Sequence, residues 1–238
     1  MFERKKYKSF AKKQLAGRWG IPIAITLIVG VISCIFSLPE WFGLIKNGYF
    51  NSLFNGDYYS AMEATEAASS VSYVSSLISM VASAILEVAV IGVYIKMSRS
   101  PEPVSFSDFL EGFNNWARAI LGVLWQTLWT MLWTLLFIIP GIIKAYAYSQ
   151  MFYIIAEYKD VSVTKAMRIS MEITKGHKWD LFVMQLSFIG WSLLAPFTLG
   201  ILYFWLIPYM NMSLVNAYHA LMKEALETGR IKPEDLSE

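Results

Sequence analysis

Glu87 is the residue whose type and position most strongly suggest chemistry. This acid stands inside an apolar stretch that runs from residue 71 to residue 95. A carboxylate is costly in hydrocarbon, so acids within membrane helices almost always face the helix bundle or a water-filled cavity. Serines precede it at helical spacing, namely Ser72, Ser76, Ser79 and Ser83. This stripe of small polar residues predicts a helix face that packs closely against another helix.

Amide side chains stand at comparable depth in other apolar stretches, at Gln126, Gln150, Gln185, Asn211 and Asn216. With Glu87 they predict a polar layer in the cytoplasmic half of a membrane. Two interpretations stay open. The layer is a site for a substrate, an ion or a lipid headgroup centred on Glu87. Alternatively, its members are interhelical hydrogen-bonding groups, and Glu87 is protonated or paired.

Other residue types that support catalysis or metal binding are sparse. His177 and His219 are the only histidines, and neither has the spacing or the acidic neighbours of a metal site. Cys34 is the only cysteine, which excludes an intrachain disulfide and a cysteine-based metal cluster. The sequence contains no nucleophile elbow, phosphate-binding loop or pair of catalytic carboxylates. We therefore expect no catalytic residues, metal or cofactor, and predict that the protein is not an enzyme.

The composition predicts that lipid surrounds these groups. Of 238 residues, 56% are apolar and only 16% are charged, whereas soluble domains carry about a quarter charged residues. The net charge of +2 gives no reason to expect a nucleic-acid partner. We therefore predict an all-α integral membrane protein whose first partner is the phospholipid bilayer.

The apolar stretches predict six transmembrane helices, because roughly 20 helical residues cross a hydrocarbon core of about 30 Å. Two stretches have this length, and two are double-length and must turn back, at Pro140-Gly141 and between Pro196 and Gly200. The predicted spans are residues 20–38, 71–95, 117–139, 141–157, 180–196 and 199–221. One membrane domain thus covers residues 1–222, with an aromatic-rich outer loop at 39–70, helical from Asp57, and a polar tail at 223–238.

The basic residues predict the orientation. All 20 lysines and arginines except Lys46 and Lys144 fall on one side of the six-span arrangement. Short loops rich in Lys and Arg stay in the cytoplasm, so both termini are predicted to be cytoplasmic. A signal peptide cleaved before Cys34 is the alternative for the N-terminus. The apolar run continues to Leu38, and we therefore adopt a retained first helix.

The spans group into three hairpins, each preceded by a similar segment. Before spans one, three and five, a short helical pattern is followed by a glycine and then by a tryptophan, at Trp19, Trp116 and Trp179. We interpret each segment as an amphipathic helix at the inner membrane interface. In the second segment, Ser105 and Asp108 predict a capping box. Either a threefold internal repeat or the ordinary cytoplasmic approach to a membrane helix explains this pattern.

The second half of the chain resembles a known family. The residues that carry the resemblance are the stretch FIIPGIIKAYAYS at 137–149, AMRISM at 166–171, KGHKW at 175–179, LSFIGW at 186–191, TLGI at 198–201 and Pro208-Tyr209. They resemble signatures of a bacterial membrane family catalogued as domain of unknown function 975. That family is similar to the membrane domain attached to some glycerophosphodiester phosphodiesterases. The resemblance implies a bacterial plasma membrane protein of six helices and transfers no catalytic residue.

Three classes of function are compatible with these features. The first is a non-enzymatic accessory, scaffold or envelope-maintenance protein that acts through lipid, a membrane partner or a second copy of itself. The second is a small transporter or channel that uses a polar site around Glu87. The third, an intramembrane enzyme, is the least favoured because no catalytic group is evident. Whether water or a ligand reaches Glu87 distinguishes the first two.

Overall fold

The computed structural model describes residues 2–237, with the backbone alone for residues 69–74. Within this part the chain is helical and has no strand, so the all-α prediction is confirmed. The α-helices are α1 (Arg4–Leu15), α2 (Gly20–Lys46), α3 (Tyr49–Phe54), α4 (Tyr58–Arg99), α5 (Phe106–Glu111), α6 (Trp116–Leu136), α7 (Ile138–Tyr148), α8 (Met151–Glu157), α9 (Val163–Ile173), α10 (Lys178–Ser192) and α11 (Tyr203–Glu227). Three short 3-10 helices lie at Gly112–Asn115, Pro196–Thr198 and Pro233–Leu236.

Among the residues that the structure describes, three helical segments are long and apolar enough to cross a membrane. They are Gly20–Lys46, Ser75–Arg99 and Phe106–Leu136, and they correspond to the first three predicted spans. Large apolar side chains on α6 and at the start of α7, such as Leu135, Ile138 and Ile139, are exposed. Such a surface is unfavourable in water and suits contact with lipid.

The chain divides into two compact units, and the division falls inside α2 and α4. The smaller unit is Leu27–Ser83. In it α2 continues past Pro39 to Lys46, and α4 begins at Tyr58. The predicted outer loop is therefore helical for much of its length, and the helix expected from Asp57 is confirmed. A Cβ added to Gly43 would lie 3.0 Å from Cβ of Ala68, so α2 and α4 are in direct contact here.

The turn expected at Pro140-Gly141 lies earlier in the chain. Phe137 has an extended backbone, which ends α6 and starts α7. Pro140 is the third residue of α7, where its missing N–H leaves no helical hydrogen bond unmade. Gly141 lets the two helices approach, since a Cβ there would lie 2.3 Å from Oγ1 of Thr134. The second expected turn is confirmed, with left-handed backbone at Leu199 and Gly200.

The fourth predicted span, residues 141–157, is not one helix, because it breaks between α7 and α8. The break frees the carbonyl of Ala147 and the N–H of Gln150. The buried hydroxyl of Ser170 on α9 satisfies both: it donates to the Ala147 carbonyl (2.8 Å) and accepts from the Gln150 N–H (3.1 Å). A broken helix is tolerated in a membrane protein where neighbouring groups re-form the lost hydrogen bonds in this way.

The segments predicted to lie at the interface pack against protein in the larger unit, Met1–Thr26 with Ala84–Glu238. Helix α1 lies along α11, and α9 contacts α6, α7, α8 and α11. Near α5, Gly112 approaches α4 so closely that a Cβ would lie 2.4 Å from Cα of Ala89. The capping box is confirmed, with the Ser105 N–H donating to Asp108 at 2.8 Å.

Candidate functional site

Three helices of the larger unit meet at the carboxylate of Glu157. This residue ends α8, and its side chain is only 4% exposed. Its carboxylate pairs with the guanidinium of Arg99, the last residue of α4. It also accepts a hydrogen bond from the hydroxyl of Tyr218 on α11. A buried carboxylate requires such compensation, because an unpaired charge away from water is strongly destabilising.

Aromatic rings extend this cluster towards Glu87. Tyr153, one turn before Glu157 on α8, stacks on Tyr218 with ring centroids 5.2 Å apart. Glu87 on α4 lies near Tyr153. The side chain of Glu87 is itself exposed, although its chain neighbours Leu86 and Val88 are buried. Glu87 and Glu157 therefore both belong to the larger unit.

Arg118 on α6 holds the chain that follows α8. Its guanidinium donates to the backbone carbonyls of Ile155 (3.1 Å), Tyr158 (2.7 Å) and Val161. The side chain thereby caps the end of α8, whose last carbonyls have no intrahelical partner, and holds the loop before α9.

A second charged cluster fixes the end of α11. The ring of His177 contacts Asp180 through Nδ1 (3.1 Å) and Glu224 through Nε2 (2.9 Å). Arg230 donates to the same Glu224 carboxylate at 2.7 Å. The hydrogen bond with His177 is the largest cause that lowers the pKa of Glu224 below its ordinary value. The cluster links the start of α10 to the end of α11.

The predicted polar layer is spread over several separate contacts. Gln185 accepts from the Tyr146 hydroxyl (2.9 Å), and Asn216 donates to Gln14 on α1 (2.8 Å). The other amides have different surroundings: Gln150 donates to Ser149, Asn211 lies near the hydroxyl of Tyr94, and Gln126 lines a groove of about 430 Å³ with Thr130 and Thr134. In the part of the chain that the structure describes, none of these contacts joins two of the predicted residues.

The serine stripe lines a polar cavity in the smaller unit. Ser76, Ser79 and Ser83 border a space of about 300 Å³, and Ser72 lies outside the residues whose side chains are described. Across the cavity, α2 contributes Ser33, Phe36, Ser37 and Glu40. The stripe therefore faces α2 across a cavity that is large enough for several water molecules.

Sequence reasoning passed over Glu157, Tyr153, Tyr218 and Glu40. Glu157 stands at the end of a predicted span, where a charge is expected at the membrane surface and carries little information. A signal was nevertheless present, because Glu157 directly follows a nearly continuous apolar block and Arg99 ends another. The pairing of these two residues depends on the tertiary arrangement of α4 and α8.

Comparison with known proteins gives one family and no annotated relative. The model of the family described as "Protein of unknown function (DUF975)" matches residues 1–147 and 127–225. No curated protein and no solved structure matches the chain significantly. The similarity to the membrane domain of glycerophosphodiester phosphodiesterases stays an expectation.

Proposed function

The chain belongs to the DUF975 family of proteins of unknown function, and we propose that it is a bacterial plasma membrane protein. In this proposal the chain crosses the membrane six times and acts without catalysis. Its role is that of an accessory, scaffold or envelope-maintenance protein that works through lipid or a membrane partner. Both termini lie in the cytoplasm, and the spans form three hairpins.

The helix pairs of the second half support the six-span arrangement. Helix α6 packs against α7, and α10 packs against α11. The turns at Phe137 and at Leu199-Gly200 reverse the chain at the ends of these pairs. Helix α10 has 15 residues, about 22 Å at 1.5 Å per residue. Such a length crosses most of the hydrocarbon core and fits a bilayer that thins locally.

Labelling of single cysteines tests this topology. Replacing Cys34, the only cysteine, by Ala gives a background for Asn55→Cys, Glu102→Cys, Lys159→Cys and Phe197→Cys, all at exposed positions. In intact cells a membrane-impermeant maleimide should label the first and last of these. The other two should react only after permeabilisation. Labelling of Lys159→Cys from outside intact cells would contradict the proposed arrangement.

The observation that carries the non-catalytic role is the pairing of Glu157 with Arg99 and Tyr218. These groups, like Arg118 with its carbonyls, are used to hold helix ends together. Polar side chains engaged in this way make a rigid framework and are not free to act on a substrate. In the proposed arrangement, apolar side chains face the lipid and basic residues lie on the cytoplasmic side. Such a framework is suited to contact lipids or another membrane protein.

A complementation experiment separates this role from transport at Glu87. Cells that lack the protein are tested for sensitivity to detergent and osmotic shock, and then complemented with the wild type, Glu87→Gln or Glu63→Gln. Glu63 is an exposed acid on the same helix and serves as the control. The proposed role predicts full rescue by all three. Loss of rescue by Glu87→Gln alone, at normal protein levels, would contradict it.

A second function, a small transporter or channel, is favoured by the cavity between α2 and α4. Its lining combines the carboxylate of Glu40 with several serine hydroxyls, which suits a hydrated cation or a small polar solute. In the cysteine-free background, Ser79→Cys should react with a small charged thiol reagent if water fills this cavity. Absence of reaction, with Asn55→Cys reacting normally, would contradict the transport function.

A further inference from the structure

One face of α1 carries a row of cations. Arg4, Lys8 and Lys12 follow one another at intervals of four residues, so they share a face of the helix. The neighbouring face is formed by Tyr7, Ala11 and Leu15 and is buried. Since α1 lies along α11, this packing fixes the direction in which the cationic row points.

The ammonium groups of this row lie against two of the proposed spans. Nζ of Lys8 donates to the hydroxyl of Ser187 on α10 (2.6 Å) and is 3.8 Å from the ring centre of Phe188. Nζ of Lys12 is 5.7 Å from the ring centre of Tyr209 on α11. The cations therefore lie against side chains of both α10 and α11.

The row has no carboxylate partner among the described residues. Glu3, the acid nearest in the chain, pairs instead with Lys6 at 3.4 Å. Like charges four residues apart on a helix repel each other. Burial, followed by repulsion from Arg4 and Lys12, lowers the pKa of Lys8 from its ordinary value. A bound anion would relieve this repulsion.

A cavity of about 510 Å³ adjoins the row. Its lining consists of Phe2, Glu3, Arg4, Lys5, Lys6, Lys8 and Ser187. We propose that the face formed by Arg4, Lys8 and Lys12, with this cavity, binds the phosphate group of an anionic phospholipid headgroup. The inference rests on the proposed function, since it places α1 on the cytoplasmic side of the membrane. Phosphate suits the site because the guanidinium of Arg4 and the lysine ammonium groups can all donate to its oxygens.

Lipid titration of the delipidated full-length protein in detergent tests the proposal. The probes are short-chain phosphatidylglycerol, phosphatidylcholine and inorganic phosphate, with thermal unfolding and native mass spectrometry as readouts. The triple variant Arg4→Gln/Lys8→Gln/Lys12→Gln is compared with Lys13→Gln/Lys159→Gln/Lys175→Gln, which removes equal charge at exposed positions outside the row. Lys8→Gln alone serves if the triple variant fails to fold.

We expect phosphatidylglycerol to stabilise the wild type and the control variant, and phosphatidylcholine to have little effect. The row variant should bind phosphatidylglycerol at least about tenfold more weakly, because each cation near anionic lipid contributes to binding. An equal loss of affinity for phosphatidylglycerol in the control variant would overturn the proposal, since the overall positive charge would then explain binding. Equal stabilisation by inorganic phosphate would overturn the lipid assignment. Either result leaves the cysteine-labelling test of the six spans unaffected.

Discussion

The hydroxyl of Tyr218 on α11 donates a hydrogen bond to the carboxylate of Glu157 at the end of α8. Both side chains are almost fully buried, and Arg99 completes the contact from α4. The three residues are far apart in the chain, so the contact links distant segments of the larger unit. Its contribution to stability can therefore be measured as a change in the free energy of global unfolding.

Removing the hydroxyl should destabilise the protein while leaving the helices in place. We expect Tyr218→Phe to lower the free energy of unfolding by about 1–3 kcal/mol, because a buried carboxylate loses one of its donors. Replacing Arg99 by Met should cost more, since it leaves the Glu157 charge without its cation. Thermal unfolding in detergent, followed by circular dichroism, measures both effects.

The matched control for these variants is Tyr203→Phe, at an exposed position at the start of the same helix. It should unfold like the wild type. Adding Glu157→Gln to Arg99→Met should recover part of the lost stability, because an amide is far less costly to bury than an unpaired carboxylate. A double variant no more stable than Arg99→Met would contradict this account of the cluster.

Close helix packing at Gly112 yields a second prediction. A Cβ at this position would lie 2.4 Å from Cα and 2.7 Å from Cβ of Ala89, which the α4 backbone cannot accommodate without moving. We expect Gly112→Ala to destabilise the protein by about 1–3 kcal/mol, as overpacking does elsewhere. Chemical or thermal unfolding of the purified protein measures the change.

Gly92 provides the control for Gly112, since it lies on α4 one turn from Ala89 and a Cβ there meets no atom within 4 Å. Alanine has a higher helix propensity than glycine by roughly 1 kcal/mol, so Gly92→Ala should be neutral or stabilising. Equal destabilisation by the two substitutions would show that packing against Ala89 is not the cause.

The sequence predicts the helices better than the contacts between them. The first three long helices and the turn at Leu199-Gly200 follow from apolar length and turn residues, and the sequence predicts them. The sequence predicts a turn at Pro140-Gly141, because proline and glycine are usual turn residues, whereas the chain turns at Phe137. Here the proline occupies the first turn of α7 and the glycine serves helix packing.

The candidate site was predicted less well than the elements. Depth along a span can be estimated from the sequence, but which helix faces another is decided by tertiary packing. Asn216, for example, donates a hydrogen bond to Gln14 on α1, a residue that is not part of the predicted polar layer. In the sequence, Glu157 and Arg99 are ordinary charges at the ends of predicted spans, and only the fold brings them together. The topology and the role of Glu87 stay predictions.

Acid should weaken the cluster at the end of α11. The pKa of Glu224 is lowered in the folded protein, chiefly by its hydrogen bond with His177. A lowered folded pKa gives stability that is present above the unfolded pKa, about 4.3 for glutamate. That stability is lost as the pH falls through the folded value. We expect the melting temperature to fall as the pH is lowered from 5 to 3.

Glu224→Gln isolates this contribution. The variant should be less stable than the wild type at pH 6, and the two should converge as the pH falls through the folded pKa of Glu224 and the wild-type carboxylate becomes protonated. Glu227→Gln, on the same helix with a largely exposed side chain, should follow the wild type at every pH. A constant difference between Glu224→Gln and the wild type across this range would contradict the linkage.

The break between α7 and α8 is bridged chiefly by the hydroxyl of Ser170, and Thr174 makes a longer contact with the Ala147 carbonyl (3.4 Å). The Ser170 hydroxyl donates to the Ala147 carbonyl and accepts from the Gln150 N–H, and Ser170 is fully buried. Ser170→Ala leaves both backbone groups without this partner, so we expect a loss of about 1–3 kcal/mol in the free energy of unfolding. Hydrogen exchange at the Gln150 amide should quicken, while Ser107→Ala, at an exposed position on α5, should change neither quantity. Unchanged hydrogen exchange at the Gln150 amide in a folded Ser170→Ala variant would show that another group accepts the hydrogen bond from this N–H.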